Sequence, residues 1–210
     1  MSFEVSVRKR LGSAELSVDL AAGEGLTVLF GPSGVGKSSV LNMIAGLLRP
    51  DAGRIRAGGV TVFDSERRID LPPNRRRVGY VFQDGRLFPH LKVSANLLYG
   101  YRLAEPAARW LDFADAVDFL AIGHLLDRWP ATLSGGEAQR VAIGRAMLAG
   151  SRSLLMDEPL ASLDQPRRDE IMRVIERIRD QLAIPILYVT HDPAEADRLA
   201  TRIVLLGPSG

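Results

Sequence analysis

The strongest constraint on the fold of this chain is a glycine-rich segment between an apolar run and a helical pattern. Residues 31–38 read GPSGVGKS, which fits the pattern G-x-x-x-x-G-K-[ST]. Residues 26–30 before it are almost wholly apolar, as in a strand covered on both faces, and apolar residues recur at helical spacing after it. A glycine-rich turn that binds nothing is the alternative, but the strand before the loop and the helix after it favour a phosphate-binding loop.

The residue types in this loop predict contacts with a nucleotide. Glycines allow successive backbone N–H groups to turn towards an anion, and the new helix adds unpaired N–H groups and the positive end of its dipole. Lys37 can reach the β- and γ-phosphates, and the Ser38 hydroxyl can bind Mg²⁺. The predicted nucleotide-binding residues are Gly31, Pro32, Ser33, Gly34, Val35, Gly36, Lys37, Ser38 and Ser39.

The composition excludes several classes of protein. The absence of cysteine removes disulfides, thiolate nucleophiles and cysteine-based metal sites. No stretch approaches the ~18 apolar residues of a membrane span, and the N-terminus lacks the apolar core of a signal peptide. We therefore expect a chain that neither spans a membrane nor is secreted by the usual route. The formal charge is only +2, from 27 basic and 25 acidic residues, so nucleic acid is not expected as a partner.

The hydrophobic pattern predicts one α/β domain with a helical insertion. Alternation in the first 20 residues and short apolar runs between 53 and 81 are typical of strands, whereas residues 87–150 have a helical pattern. Beyond them, strands are predicted over 153–156, 186–190 and 203–206, and helices over 171–182 and 192–200. We expect a core of about 1–86 and 151–210 and a helical subdomain of about 87–150.

Two carboxylates end the predicted strand at 153–156. Because ligands bind at the carboxyl edge of open α/β sheets, Asp157 and Glu158 are expected there. Asp157 would hold Mg²⁺, directly or through water, and Glu158 would polarise an attacking water. A solvated strand end is the alternative, and the nearby phosphate-binding loop argues for the functional interpretation.

A second helix start has the residues of an anion site. Ser134 and Glu137 have the spacing of a capping box, which by itself indicates only a well-capped helix. Gly135 and Gly136 between them lower helix propensity while exposing bare N–H groups beside the serine hydroxyl. Two phosphate-binding helix starts in one chain suggest that one of them serves a neighbouring subunit.

Six segments of the chain, in this order, resemble those of the ATP-binding cassette ATPases. They are residues 31–38, Gln83 after an apolar strand, 133–137, 156–159, 160–164 and 190–192. The resemblance covers essentially the whole chain. It implies an α/β fold with a P-loop NTPase (RecA-like) core, an antiparallel β-subdomain and an inserted helical subdomain, and hydrolysis of ATP with Mg²⁺.

The resemblance also implies roles within one subunit. Gln83 would sense Mg²⁺ and the attacking water and report the nucleotide state to a membrane partner, and His191 would contact the γ-phosphate. For His191 an ordinary strand-end histidine is the alternative. The implied catalytic residues are Glu158, His191 and Gln83, and the implied metal ligands are Ser38, Gln83 and Asp157.

Other roles would be played across a dimer. By resemblance, Ser134, Gly135, Gly136 and Glu137 would contact the γ-phosphate held by the opposite subunit, and Asp164 would link the two sites. A homodimer in the ATP-bound state is therefore expected.

Within the family, residues 76–90, 141–146 and 159–167 resemble the molybdate importers. This implies an ATPase subunit at the cytoplasmic face of the membrane that energises uptake of molybdate or a related oxyanion through permease subunits, served indirectly by a periplasmic or extracellular binding protein. Sulfate, thiamine or iron import is the alternative, as is a non-transport cassette ATPase. Residues 87–150 lack the heptads of the coiled coils that non-transport members carry. Glu158 disfavours a regulatory module without turnover.

Two features depart from the family pattern. Members often carry an aromatic residue that stacks on adenine before the second strand, where this chain has Leu11. Adenine is then expected to be held by apolar contact alone. Many oxyanion importers also continue into a C-terminal regulatory β-domain, which is not expected within this sequence, so the chain is either truncated or a short member.

Overall fold

The computed structural model describes residues 2–12 and 14–207. Within them, the strands are β1 Phe3–Leu11, β2 Ala14–Ala22, β3 Leu26–Phe30, β4 Ala52–Ala57, β5 Val60–Asp64, β6 Ile69–Asp70, β7 Val78–Val81, β8 Ser153–Asp157, β9 Ile186–Thr190 and β10 Arg202–Leu205. The α-helices are α1 Lys37–Ala45, α2 Val93–Leu103, α3 Phe113–Leu120, α4 Gly135–Leu148, α5 Gln165–Arg177 and α6 Pro193–Leu199. No helix among these residues is long and apolar enough to cross a membrane.

A parallel sheet in the order β10-β3-β9-β8-β7 forms the centre of the fold. Strands β3, β8 and β9 are buried along almost their whole length, as strands covered on both faces are. Because they are parallel neighbours, their carboxyl ends meet at one edge of the sheet. The loop after β3, the carboxylates that end β8 and the turn after β9 therefore lie side by side.

An antiparallel sheet in the order β2-β1-β4-β5-β6 packs on the other side of α1. Its strands alternate between buried apolar and exposed polar residues, which gives one face to the core and one to water. The core between the two sheets includes Val5, Val18, Ile55 and the apolar face of α1. This packing fixes the helix that begins at the phosphate-binding loop.

The segment between β7 and β8 contains α2, α3 and α4 and, among the described residues, no strand. This confirms the prediction of a helical pattern over residues 87–150. The three helices share a hydrophobic core with α5 and the parallel sheet.

Helix boundaries differ from the predicted ones for identifiable reasons. The spacing of the apolar residues Val40, Leu41, Ile44, Leu47 and Leu48 predicts a helix that continues to Leu48. Helix α1 instead ends at Ala45, because Gly46 adopts a left-handed φ of 81°. The guanidinium of Arg76 then donates hydrogen bonds to the carbonyls of Met43 and Ile44, near the end of the helix. The predicted helix at 171–182 begins earlier, at Gln165, and ends in a wider π-type turn over Ile178–Leu182.

Candidate functional site

The phosphate-binding loop wraps around the ammonium group of Lys37. Gly36 has a φ of 105°, and a Cβ there would lie 2.9 Å from the Leu16 side chain, so only glycine fits this position. The Lys37 side chain is 4% exposed, and its Nζ donates to the carbonyls of Gly31 at 2.8 Å and Pro32 at 2.9 Å. A cation is thus held at the start of α1, where helical N–H groups also face the loop. This combination suits a polyphosphate.

Ser38 and Asp157 form a pair of oxygen donors beside the loop. The Ser38 hydroxyl donates to Asp157 Oδ1 at 2.8 Å, and the Tyr80 hydroxyl lies 3.2 Å from Asp157 Oδ2. The pKa of the Asp157 carboxyl is raised, chiefly by burial. The hydrogen bonds from Ser38 and Tyr80 and the charge of Lys37 oppose this shift, whereas the charge of Glu158 adds to it. The carboxylate therefore sits where a further positive charge would stabilise it.

The donor set fits Mg²⁺. Hydroxyl and carboxylate oxygens are the ligands that this hard cation prefers, and it usually keeps waters and substrate phosphates as its other ligands. Among the described residues no group of three or more histidine or acidic side chains could by itself hold a metal ion. Ser38 and Asp157 are the residues that would hold the ion.

Glu158 lies between two basic groups at the end of β8. Its Oε1 is 3.9 Å from Lys37 Nζ, and its Oε2 is 3.2 Å from His191 Nδ1. The residue has a φ of 43°, an uncommon value for a non-glycine residue, and its N–H donates to the Val189 carbonyl at 3.0 Å. The side chain is 20% exposed, so a carboxylate is held near the loop with access to water. Such a group can accept a proton from an attacking water.

Gln83 follows β7 in an exposed turn. This turn leads into a segment that is held by Arg145 of α4, whose guanidinium donates to the carbonyls of Arg86 at 2.7 Å and Gly85 at 2.9 Å. The same guanidinium lies 5.1 Å from the ring centre of Phe88. Burial lowers the pKa of Arg145, whose described contacts are carbonyls and a ring rather than a carboxylate. The predicted sensor residue is thus tied to α4 through its neighbours.

The predicted capping box is present at the start of α4. The Ser134 N–H donates to Glu137 Oε2 at 2.7 Å, and the Glu137 N–H donates to Ser134 Oγ at 3.3 Å. The hydrogen bond from the Ser134 N–H lowers the pKa of Glu137. Glu137 Oε1 also lies 3.3 Å from Arg128 Nη1. These residues border a depression of about 320 Å³ together with Gly136, Arg140 and Arg167. Their described hydrogen bonds involve this neighbourhood and not the phosphate-binding loop.

Asp164 caps α5 close to the same depression. Its carboxylate accepts from the Arg167 N–H at 3.1 Å and from Arg167 Nη1 at 2.9 Å. About half of the side chain is exposed. The structure therefore brings Lys37, Ser38, Asp157, Glu158 and His191 together. The side chains of Ser134, Glu137 and Asp164 bond to other partners, outside this cluster.

Three supporting residues were not predicted from the sequence. Tyr80 orients Asp157, Arg145 holds the segment after Gln83, and Arg168 bonds to the turn that carries His191. Tyr80 lies on β7, next to β8 in the sheet, so a correct strand order would have pointed to it. The two arginines had no comparable signal, because their partners are distant in sequence.

The comparison with known sequences gives a consistent result. The family described as ABC transporter matches residues 14–161. The molybdenum import ATP-binding protein ModC of Rhizobium meliloti is 55% identical over 206 residues, which are 98% of this chain and 58% of that protein. The ModC protein of Rhodospirillum rubrum is 54% identical over 203 residues, 97% of this chain and 55% of that protein. The chain thus spans somewhat more than half the length of these curated relatives.

Solved structures give the same architecture. A dimeric ATP-binding cassette in a post-hydrolysis state bound to ADP and Pi superposes with a TM-score of 0.78 at 25% identity, covering 97% of this chain and 94% of that one. A second dimeric structure of an ABC transporter cassette gives a TM-score of 0.77 at 27% identity, with the same coverage.

Proposed function

Because the chain belongs to the ABC transporter family, we propose that it is the ATP-hydrolysing subunit of an importer, with molybdate or a related oxyanion as cargo. The observation that carries this proposal is the meeting of Lys37, Ser38, Asp157, Glu158 and His191 at one sheet edge. The cargo is inferred from the molybdenum import relatives.

In the proposed mechanism each residue at this edge has a distinct task. Lys37 neutralises the β- and γ-phosphates of ATP, and the loop N–H groups fix the phosphate positions. Ser38 and Asp157 would hold Mg²⁺, which would supply charge neutralisation at the phosphates. Glu158 accepts a proton from the attacking water, and His191, 3.2 Å from Glu158, contacts the γ-phosphate and keeps that carboxylate in place. Gln83 would act as a further ligand of the metal ion, and Leu11 would offer apolar contact to the adenine.

The complete site is proposed to need two chains. Ser134, Gly135, Gly136 and Glu137 form the N-terminus of α4, and the hydrogen bonds of its capping box do not involve the phosphate-binding loop. This N-terminus would suit the γ-phosphate bound by a second copy. Asp164 borders the same region and would link the two sites. Dimeric cassettes among the structural neighbours support this arrangement.

A Ser134→Arg substitution tests the two-chain site. Mg·ATP binding by one chain is expected to stay within about twofold of the parent, whereas hydrolysis should fall by at least about tenfold, because the bulky cation obstructs the phosphate of the partner. Isothermal titration and phosphate release measure the two properties. Asp112→Arg is the matched control, since it also removes a helix N-cap, that of α3, but lies outside the proposed site. Equal loss of ATP binding in the Ser134 variant would contradict the two-chain site.

A permease is proposed to dock on an apolar groove of the helical segment, and the chain would then lie at the cytoplasmic face of the membrane. The groove has a volume of about 420 Å³ and is lined by His90, Leu91, Ala95, Tyr99, Arg102 and Leu103. Tyr99 and Leu103 are 52% and 76% exposed, and Phe88, 4.7 Å from the Tyr99 ring, is half-buried beneath them. Exposed apolar groups of this kind are typical of a binding surface.

Leu103→Asp should abolish co-purification with the permease subunits while the ATPase rate of the free chain stays within about twofold, because a charge would be buried in an apolar interface. Leu205→Asp is the control, since Leu205 is equally exposed at 75% but lies on β10. Loss of co-purification in both variants, or in neither, would contradict docking at this groove.

The cargo can be tested in the reconstituted transport complex. Molybdate and tungstate should stimulate ATP hydrolysis, and sulfate and thiamine should not. Stimulation by thiamine or sulfate alone would identify an importer of another substrate, while absence of ATP hydrolysis under every condition would contradict the proposed function itself.

A further inference from the structure

One arginine of α5 bonds to two separate segments of the candidate site. Arg168 Nε donates to the carbonyls of Leu160 at 3.2 Å and Leu163 at 3.1 Å. Its Nη1 donates to Asp192 Oδ2 at 3.1 Å. A planar guanidinium can bridge three acceptors in a fixed arrangement, which a flexible ammonium cannot do.

The first segment runs from Glu158 to Asp164. Leu160 and Leu163 lie between these two residues, and backbone hydrogen bonds from Ala161 to Glu158 and from Leu163 to Leu160 make the segment a compact double turn. Arg168 is one helical turn after Asp164, and its N–H donates to the Asp164 carbonyl at 2.9 Å. Displacement of Asp164 would therefore move the guanidinium as well.

The second segment is the turn that carries His191. The Thr190 hydroxyl donates to buried Glu195 at 2.8 Å, and the Asp192 N–H donates back to Thr190 Oγ1 at 3.0 Å. Asp192 caps α6 through Oδ1, which leaves Oδ2 for Arg168. Glu195 thus fixes one side of the turn, and Arg168 connects the other side to the first segment.

We propose that Arg168 is a positioning residue that couples Asp164 to the Glu158–His191 pair, so that contact with the second subunit sets the distance between carboxylate and imidazole. This inference rests on the proposed function. A role in holding α5 against α6 is already filled by Arg198, whose guanidinium bonds to Glu176 at 2.8 Å and lies 3.3 Å from Asp169. Arg168 instead bonds to the two segments of the site, at Leu160 and Leu163 in the first and at Asp192 in the second.

The test compares Arg168→Met with Arg198→Met. Both remove an arginine between α5 and α6, but only the first disconnects the two segments. Arg168→Met is expected to lower kcat for ATP by at least about tenfold, with the Kd for Mg·ATP within about twofold, whereas Arg198→Met should retain the parent kcat. Arg168→Lys, which keeps the charge without the planar fork, should recover only part of the lost rate. A kcat within twofold of the parent for Arg168→Met overturns the inference, as does a lower kcat that is fully explained by loss of ATP binding.

A double-mutant cycle keeps the test decisive if Arg168→Met folds poorly. Asp192→Asn retains the Oδ1 cap and loses the charged partner. Combined with Arg168→Lys, it should lower kcat no further than the more severe single variant, since both act on one contact. Additive losses overturn the coupling. A parent chain without ATP turnover would instead contradict the proposed function, so the two failures can be told apart.

Discussion

Replacing Lys37 by Ala is expected to weaken Mg·ATP binding by about 100-fold or more. The Lys37 ammonium is the cation that the phosphate-binding loop surrounds, with Nζ 2.8 and 2.9 Å from two loop carbonyls. Hydrogen bonds to charged groups contribute about 1.5–3 kcal/mol each, and about 1.4 kcal/mol corresponds to a tenfold change in affinity. Isothermal titration with Mg·ATP measures the effect.

Lys92→Ala is the matched control for this experiment. It removes an ammonium 3.3 Å from Asp127 on the exposed helical segment, so ATP affinity should not change. Circular dichroism of both variants shows whether the fold persists. A folded Lys37 variant with the affinity of the parent would remove the basis of the proposed nucleotide site.

Glu158→Gln is expected to slow ATP hydrolysis by roughly two to four orders of magnitude, the usual contribution of a positioned general base. Glutamine keeps the shape and hydrogen-bonding capacity of the side chain but cannot take up the proton of water. Binding should survive, because Lys37, Ser38 and Asp157 remain. ATP should then persist between two chains, and the variant should become a stable dimer in Mg·ATP while the parent remains largely monomeric.

Single-turnover hydrolysis and size-exclusion chromatography with Mg·ATP measure these two effects. Glu4→Gln serves as control, since Glu4 pairs with Arg56 on the antiparallel sheet and should not influence hydrolysis. A Glu158 variant that is monomeric and turns over ATP near the parent rate would show that another group activates the water.

The strand ends of the site could be predicted because local sequence encodes them. A buried apolar run followed by GPSGVGKS or by Asp157 and Glu158 specifies both the strand and the polar residues after it. Their side-by-side placement comes from the strand order β3-β9-β8 seen in the structure, which the local pattern does not specify. The capping box at Ser134 is similarly local, which is why it is present as predicted.

The contacts that hold these segments in place could not be predicted in this way. Arg168 and Asp192 are 24 residues apart, and Arg145 and Arg86 are 59 apart, so no periodic pattern relates them. The early end of α1 depends on Gly46 and on Arg76. Arg76 is more than 30 residues away from the two carbonyls to which it donates. Likewise, the left-handed backbone of Glu158 depends on its bond to β9 and is not favoured by its residue type.

Helix α4 is a continuous connection between the capping box at Ser134 and the segment that follows Gln83. The helix is capped by Ser134 at its start. Ten residues after Gly135, the Arg145 guanidinium donates to the carbonyls of Gly85 and Arg86, which follow Gln83. At about 1.5 Å per residue these points are about 15 Å apart, and a continuous helix transmits tilt rather than absorbing it. A tilt of about 10° at one end would displace the other by about 2.5 Å, nearly the length of a hydrogen bond. A force applied to the start of α4 would therefore also displace the segment beside Gln83.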